Sequence, residues 1–361
     1  MHLTPRPGIL EITPYIGGEA KLPGANRVIR LASNENPLGT GPRAVAAYAA
    51  EQDELHRYPD GGARALREAI GEAHGVEPDR VVCGSGIDEL IGLLVRAYAG
   101  PGDEVLYSAH GFLMYAIAAK GAGAAPVTAP ERDLTADVDA LLEAVTPRTR
   151  LLFLANPNNP TGSYLPADEV RRLREGLPDG VLLVLDAAYA EYVRRDDYEA
   201  GADLVRAFDN VVMTRTFSKI HGLAALRLGW AYCSAEVADV LNRLRGPFNV
   251  SSAAQAAGVA ALSDREHVAR SQDNNARWLE WFSQEARRLG LTVPPSVGNF
   301  VLVRFPDRPG RDAAAAAEHL KGQGILVRGM GAYDLGDSLR VTIGTEQDMR
   351  AVAEALAGFV A

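Results

Sequence analysis

Between residues 41 and 235, short β-rich runs alternate with stretches of helical periodicity. Few folds accept such an order. The β-rich runs fall at 80–83, 104–107, 150–155, 181–185 and 211–215, and the helical stretches at 62–74, 87–99, 112–120, 137–144 and 166–175. Strands that alternate with helices build a mostly parallel sheet with helices on both faces, so the expected fold is α/β, a three-layer αβα large domain. The stretch after Gly84 shows the helical logic. Ile87, Leu90, Ile91, Leu94, Val95 and Tyr98 fall on one face of a helix, and Gly100-Pro101-Gly102 stops it.

Beyond about 235 the pattern changes. A long stretch at 264–289 reads as helix, followed by strands near 299–305, 325–328 and 338–343 and helices near 312–323 and 346–359. This is a second, smaller α+β domain. Residues 1–30 are rich in proline and glycine with little periodicity. The expected division is an N-terminal arm over 1–32 that packs with the small domain, a large domain over 33–240 and a small C-terminal domain over 241–361.

Charge and cysteine content narrow the function. The net charge of −9 disfavours nucleic acid or an anionic membrane as the main partner. The apolar run Val181 to Leu185 is far short of the ~20 residues that span a bilayer. Pro5, Pro7 and Gly8 break the first residues, unlike a signal peptide. Two cysteines, Cys83 and Cys233, make neither a disulfide framework nor a metal site, so a cytoplasmic, reducing compartment is expected. Of 37 basic residues only four are lysine: Lys21, Lys120, Lys219 and Lys321. A reaction that needs an amine therefore has four candidates.

Ligands of open α/β sheets sit at the carboxyl ends of the strands, and polar clusters fall there. Gly84-Ser85-Gly86 opens the helix at 87–99, where free N–H groups and the positive dipole end seat an anion. It is no dinucleotide fingerprint, because Glu89 occupies the last glycine position; a tight turn alone would also explain it. Asn156-Pro157-Asn158-Asn159-Pro160-Thr161-Gly162 follows another strand and reads as a proline-braced loop of amide donors or as a plain turn. Asp186 ends the apolar run Val181 to Leu185, with Tyr189 three residues on, so it is either a buried carboxylate needing a cationic partner or a helix cap. Thr214 to Lys219 and then Arg227 combine phosphate ligands with a lysine. Lys120 and Lys321 close amphipathic helices and Lys21 lies in the arm, which leaves Lys219 as the reactive amine. One cofactor uses all these parts. Pyridoxal phosphate needs a lysine for a Schiff base, an acid for its ring nitrogen and a cradle for its phosphate.

At these residues the chain resembles the fold-type-I pyridoxal-phosphate aminotransferases, most closely the histidinol-phosphate aminotransferase family. The resemblance runs from Leu31-Ala32-Ser33-Asn34-Glu35-Asn36-Pro37-Leu38-Gly39 to Leu339-Arg340-Val341-Thr342-Ile343-Gly344-Thr345. It implies that Lys219 binds the cofactor, Asp186 pairs with the ring nitrogen, Tyr189 and Asn159 bond its phenolic oxygen and Phe112 stacks on the ring. It implies a phosphate cup of Gly86, Ile87, Asp88, Ser218 and Arg227, completed by Tyr58 reaching across a homodimer to the neighbouring subunit's cofactor. Tyr15, Asn34, Arg328 and Arg340 would line the substrate site. The reaction implied is transamination of L-histidinol phosphate with 2-oxoglutarate, in histidine biosynthesis. The alternatives are a broad aromatic aminotransferase and a phosphothreonine decarboxylase. The chain departs from the family at Asp186-Ala187-Ala188-Tyr189, where Asp-Glu-Ala-Tyr is frequent, at His110-Gly111, where Pro-Thr is frequent, and at His221, expected to be a structural histidine near the cofactor.

Overall fold

The computed structural model describes residues 3–22 and 27–361. Its centre is a seven-stranded sheet of β1 (Val81–Gly84), β2 (Glu104–Ser108), β3 (Ala125–Ala129), β4 (Thr149–Ala155), β5 (Leu182–Asp186), β6 (Val211–Thr216) and β7 (Gly229–Tyr232), in the order β1-β7-β6-β5-β4-β2-β3. The strands from β6 to β3 are parallel, and β7 runs antiparallel to both of its neighbours.

Side chains alternate between two buried layers. In β4 and β5, Leu152, Leu154, Leu183 and Leu185 enter one core, and Leu151, Phe153, Leu182 and Val184 the other. The first core holds the helices Arg64–His74, Ala167–Gly176 and Ser252–Ser263, and the second holds Ile87–Tyr98 and Ala235–Leu244. Burial on both faces is why these strands read as unbroken apolar runs. The parity also aims Asp186, in step with Leu182 and Val184, toward the second layer.

The smaller unit holds a three-stranded antiparallel sheet of β8 (Phe300–Arg304), β9 (Arg328–Met330) and β10 (Leu335–Thr342), with β10 central. The long helix Arg265–Arg288 and the helices Ala313–Gly322 and Glu346–Val360 bury its other face. Ile29–Arg30 pairs in parallel with Ile325–Leu326, and Leu31 lies in this core.

Three expectations change. The strand expected at 325–328 divides, Ile325–Leu326 meeting the arm and Arg328–Met330 meeting β10. Strands β3 and β7 were not foreseen: Ala-Pro-Val-Thr-Ala carries the proline that only an edge strand tolerates, and Gly-Trp-Ala-Tyr is too short to show a period. The division at 240 falls too early, because Val250, Ala254, Ala257 and Ala261 pack into the large unit's core beside Leu66 and Phe217.

Candidate active site

A cavity of about 300 Å³ opens at the carboxyl ends of β4, β5 and β6, between the large sheet, the arm and the small unit. Register puts Ala155, Asp186 and Thr214 side by side on adjacent strands. Because β7 runs backwards, its start lies at the same rim, with Gly229 opposite both Thr216 and Gly84. This reversal delivers Arg227 to the turn after β1. A side chain at Gly229 would strike the backbone at Gly86 and Ile87, so glycine is what lets the two approach.

At the floor lies Asp186, buried, its Oδ2 accepting a 2.7 Å hydrogen bond from the Tyr115 hydroxyl. Its Oδ1 is buried without a partner. Burial pushes the carboxyl up to about 6, against the pull of the Tyr115 bond. Lys219 projects into the cavity, its Nζ donating to the Ser33 carbonyl at 3.3 Å. Burial, reinforced by the Arg340 charge, pulls this amine down to about 8. A larger share of this amine is therefore neutral and nucleophilic near neutral pH than for an ordinary lysine. The segment that resembles the family at 31–39, with Thr40 just after it, braces the loop of this lysine: Asn36 Nδ2 donates to the Ile220 carbonyl at 2.7 Å, and Thr40 Oγ1 to the Gly222 carbonyl at 2.8 Å.

Two donors face the middle of the cavity. The Tyr189 oxygen accepts from Asn34 Nδ2 at 2.9 Å, which leaves its own proton free. Asn159 Oδ1 accepts from Arg340 Nη1, which turns the amide NH2 outward. Asn34 itself has φ of 55° and is held by Thr342 in the small unit, whose Oγ1 accepts from Asn34 N and donates to Asn34 Oδ1. Phe112 lies edge-on to Tyr115 and Tyr15 and lines the wall.

Each end of the cavity carries positive potential. At one end the helix Ile87–Tyr98 begins without a side-chain cap. Gly86 there has φ of 82°, and a Cβ on it would lie 2.6 Å from Arg227 Nη2. Arg227 Nη1 reaches Ser218 Oγ at 3.4 Å, and Nη2 pairs with Asp88 at 3.0 Å. At the other end Arg328 and Arg340 stand directly opposite on neighbouring strands. Arg340 is buried, its Nη2 donates to the Ala32 carbonyl at 2.9 Å, and its Nε has no partner. Arg328 donates to the Ile16 carbonyl at 2.8 Å and lies over the Tyr15 ring. Among the described residues neither arginine has a carboxylate within ion-pair distance.

The comparisons with known proteins decide the family. Residues 26–356 match aminotransferase class I and II. The chain belongs to this aminotransferase family. It is 61% identical over 356 residues to a histidinol-phosphate aminotransferase of Paramagnetospirillum magneticum, covering 99% of this chain and 98% of that one. It is also 61% identical to one of Rhodospirillum centenum, covering 98% and 97%. Among solved structures, the histidinol-phosphate aminotransferase of Sinorhizobium meliloti in complex with pyridoxal-5'-phosphate aligns with a TM-score of 0.90 at 31% identity, covering 99% of this chain and 98% of that one.

The fold of this aminotransferase gathers most of the residues singled out from sequence. Lys219, Asp186, Tyr189, Ile87, Asp88, Phe112, Asn159, Ser218 and Arg227 line the cavity, as do Tyr15, Asn34, Arg328 and Arg340. Gly86 lies just behind the wall, under Arg227. Tyr58 does not line it: its ring is 83% exposed and stacks on Phe248. His221 is also outside, buried against Phe217 and pulled down to about 4 by burial. His110 is engaged by Glu131 at 2.7 Å, which raises its pKa. Sequence reasoning missed Tyr115, Ser33 and Thr216. Tyr115 had a legible signal, lying three residues after Phe112 on a helical stretch, but not its partner.

Pyridoxal phosphate fits these residues on observations of the site itself. An unpartnered carboxylate oxygen faces the floor, an uncapped helix start with a glycine cradle lies at one end, and a depressed amine stands between them.

Proposed function

We propose that this aminotransferase transfers the amino group of L-histidinol phosphate to 2-oxoglutarate, giving imidazole-acetol phosphate and glutamate, a step of histidine biosynthesis. One observation carries the choice of substrate: Arg328 and Arg340 face each other across neighbouring strands with no acid between them. Like charges directly opposite repel, so the pair is favourable only when an anion bridges it. A phosphate ester is a dianion that two guanidiniums grip bidentately. The names of the relatives support the same reading.

The cofactor is pyridoxal 5'-phosphate, whose protonated ring, when bound, withdraws electrons from the carbon that bears the substrate amine. Lys219 would hold it through Nζ and would serve as the base that takes the proton from that carbon. Asp186 Oδ1 would hold the proton on the ring nitrogen. The Tyr189 hydroxyl and the Asn159 amide donate to the phenolic oxygen, and Phe112 covers the ring. The main chain at Gly86, Ile87 and Asp88, with Ser218 and Arg227, seats the cofactor's phosphate. Tyr15 and Asn34 complete the substrate wall. The substrate phosphate excludes water from Arg340, which strengthens both contacts.

In this reading the enzyme is a cytoplasmic homodimer in which Tyr58 reaches the phosphate of the neighbouring subunit's cofactor. The exposure of Tyr58 supports it, as does the exposed Phe248 ring on which it stacks. Among the described residues no helix is long and apolar enough to cross a membrane.

A stopped-flow absorbance scan of the loaded enzyme tests the substrate. Histidinol phosphate is expected to convert the cofactor band to its amine form at least about tenfold faster than phenylalanine or tyrosine. Faster conversion by either aromatic amino acid, or carbon dioxide release from phosphothreonine, would overturn the assignment.

A further inference from the structure

We propose that Tyr115 is a positioning residue for the cofactor: its hydroxyl holds Asp186 Oδ2 and so aims Oδ1, the free oxygen, into the cavity. This rests on the reading that Asp186 pairs with the ring nitrogen of pyridoxal phosphate.

The bond is 2.7 Å long, and both residues are buried. The direction of the hydroxyl is set by packing rather than by the bond. The Tyr115 ring stacks on Phe153 at 4.5 Å and 11°, and meets Tyr107 and Phe112 edge-on at 5.9 and 6.0 Å. All four rings lie on the side of the sheet toward which Asp186 points. Tyr115 is the second residue of the helix Met114–Ala122, three residues after Phe112. One short segment therefore carries both the wall of the cavity and the anchor of the carboxylate beneath it.

The donor is chemically suited to the task. Burial and the adjacent carboxylate hold the Tyr115 phenol well above its ordinary pKa, so it remains a neutral O–H donor wherever Asp186 titrates. A neutral donor stabilises the charged form of its acceptor. Without it, Asp186 would keep the cost of burial and lose the larger of its compensating bonds, the smaller coming from the Ala188 main chain, and would bind a proton at higher pH. The charged and titratable groups that act on Asp186 besides Tyr115 are Asp88 at the start of the helix Ile87–Tyr98, Lys219 after β6, and Tyr189 and Tyr198. None of these is altered by replacing Tyr115, so a change in the Asp186 proton is assignable to the hydroxyl.

The experiment measures the affinity of the full-length apoprotein for pyridoxal phosphate between pH 5 and 8, by equilibrium dialysis, in wild type, Tyr115→Phe, Phe153→Leu and Asp186→Asn. Tyr115→Phe keeps the ring stack and is expected to weaken binding about tenfold at pH 7. Its affinity should also begin to fall at higher pH than in wild type on acidification. Phe153→Leu keeps the hydroxyl but loosens the ring that aims it, and should move that acid limb in the same direction by less than Tyr115→Phe does. Replacing Tyr115 with 3-fluorotyrosine, a stronger donor of the same shape, should move the limb to lower pH, and tests the proposal even if Tyr115→Phe fails to fold. An acid limb that stays put in both Tyr115 variants, while Asp186→Asn binds poorly, would overturn the role of Tyr115. Unchanged binding in Asp186→Asn would instead overturn the cofactor reading beneath it.

Discussion

In the proposed reading each end of the cavity receives an anion, and the two ends are built on opposite plans. At the Gly86 end the donors are mostly main chain, at an uncapped helix start, and the one guanidinium there, Arg227, is already balanced by Asp88. Both of those side chains are nearly half exposed, 47% and 46%. At the Arg340 end the donors are side chains, Arg340 is buried, and no acid balances the pair it makes with Arg328. Main-chain donors do not titrate and carry no net charge to be screened, which suits a group that stays bound. An unbalanced buried cation such as Arg340 is unfavourable while the site is empty and is relieved by a dianion, so in this reading this end discriminates strongly between charged and neutral ligands.

The amine between the two ends sets the upper limit of any such comparison. Lys219→Ala should lower the rate of amino transfer by about 10⁴-fold with either anion seat intact, as measured in a single turnover with histidinol phosphate. A residual rate within tenfold of wild type would move the amine elsewhere. Next in size is Arg340→Lys. Two charge-assisted bonds become one point contact, and kcat/KM for histidinol phosphate should fall about 100-fold. The rate with unphosphorylated histidinol should fall by no more than about tenfold, the part due to Asn159 and Lys219, because that donor offers the arginine nothing to grip. Equal losses for both donors would mean that Arg340 supports the fold rather than the phosphate.

The floor of the cavity allows a comparison by pH. The Asp186 carboxyl sits at about 6 when folded against an ordinary 3.8, so it binds its proton more tightly in the folded chain. Its contribution to the stability of the apoprotein is therefore full below about pH 4 and declines as pH rises to about 6. Between pH 4.5 and 7 the loss should amount to about 2 kcal/mol. Asp186→Asn removes this slope, which urea melts of the two apoproteins at pH 4.5 and 7 would reveal. The smallest effect is expected at the main-chain seat. Gly86→Ala puts a Cβ 2.6 Å from Arg227 Nη2 at a φ of 82°, and should weaken pyridoxal-phosphate retention about tenfold by dialysis. Unchanged retention would mean that the turn holds no phosphate.

Much of the large unit was legible because parallel strands buried on both faces write themselves as unbroken apolar runs. Leu182–Asp186 and Val211–Thr216 are such runs, each ending in the polar residues that reach the cavity. Lys219 was legible by scarcity, as one of four lysines. Other features were hidden. Nothing local in Gly-Trp-Ala-Tyr announces a reversed strand, yet that reversal brings Arg227 to Gly86. The place of Tyr58 is hidden in a different way, since its ring lies on the outside of this chain, against Phe248, and not in the cavity.

The amino-acid order alone determined the alternation of strand and helix, the polar clusters at strand ends and the amine that could react, because periodicity and turn chemistry act over a few residues. Tertiary structure alone decided that Tyr115 meets Asp186 across 71 positions and that Arg340 reaches the Ala32 carbonyl across 308. It alone set Arg328 against Arg340. Such contacts depend on strand order, register and the parity of side chains across a sheet, and each of these is fixed by the joint burial of distant segments rather than by any one of them.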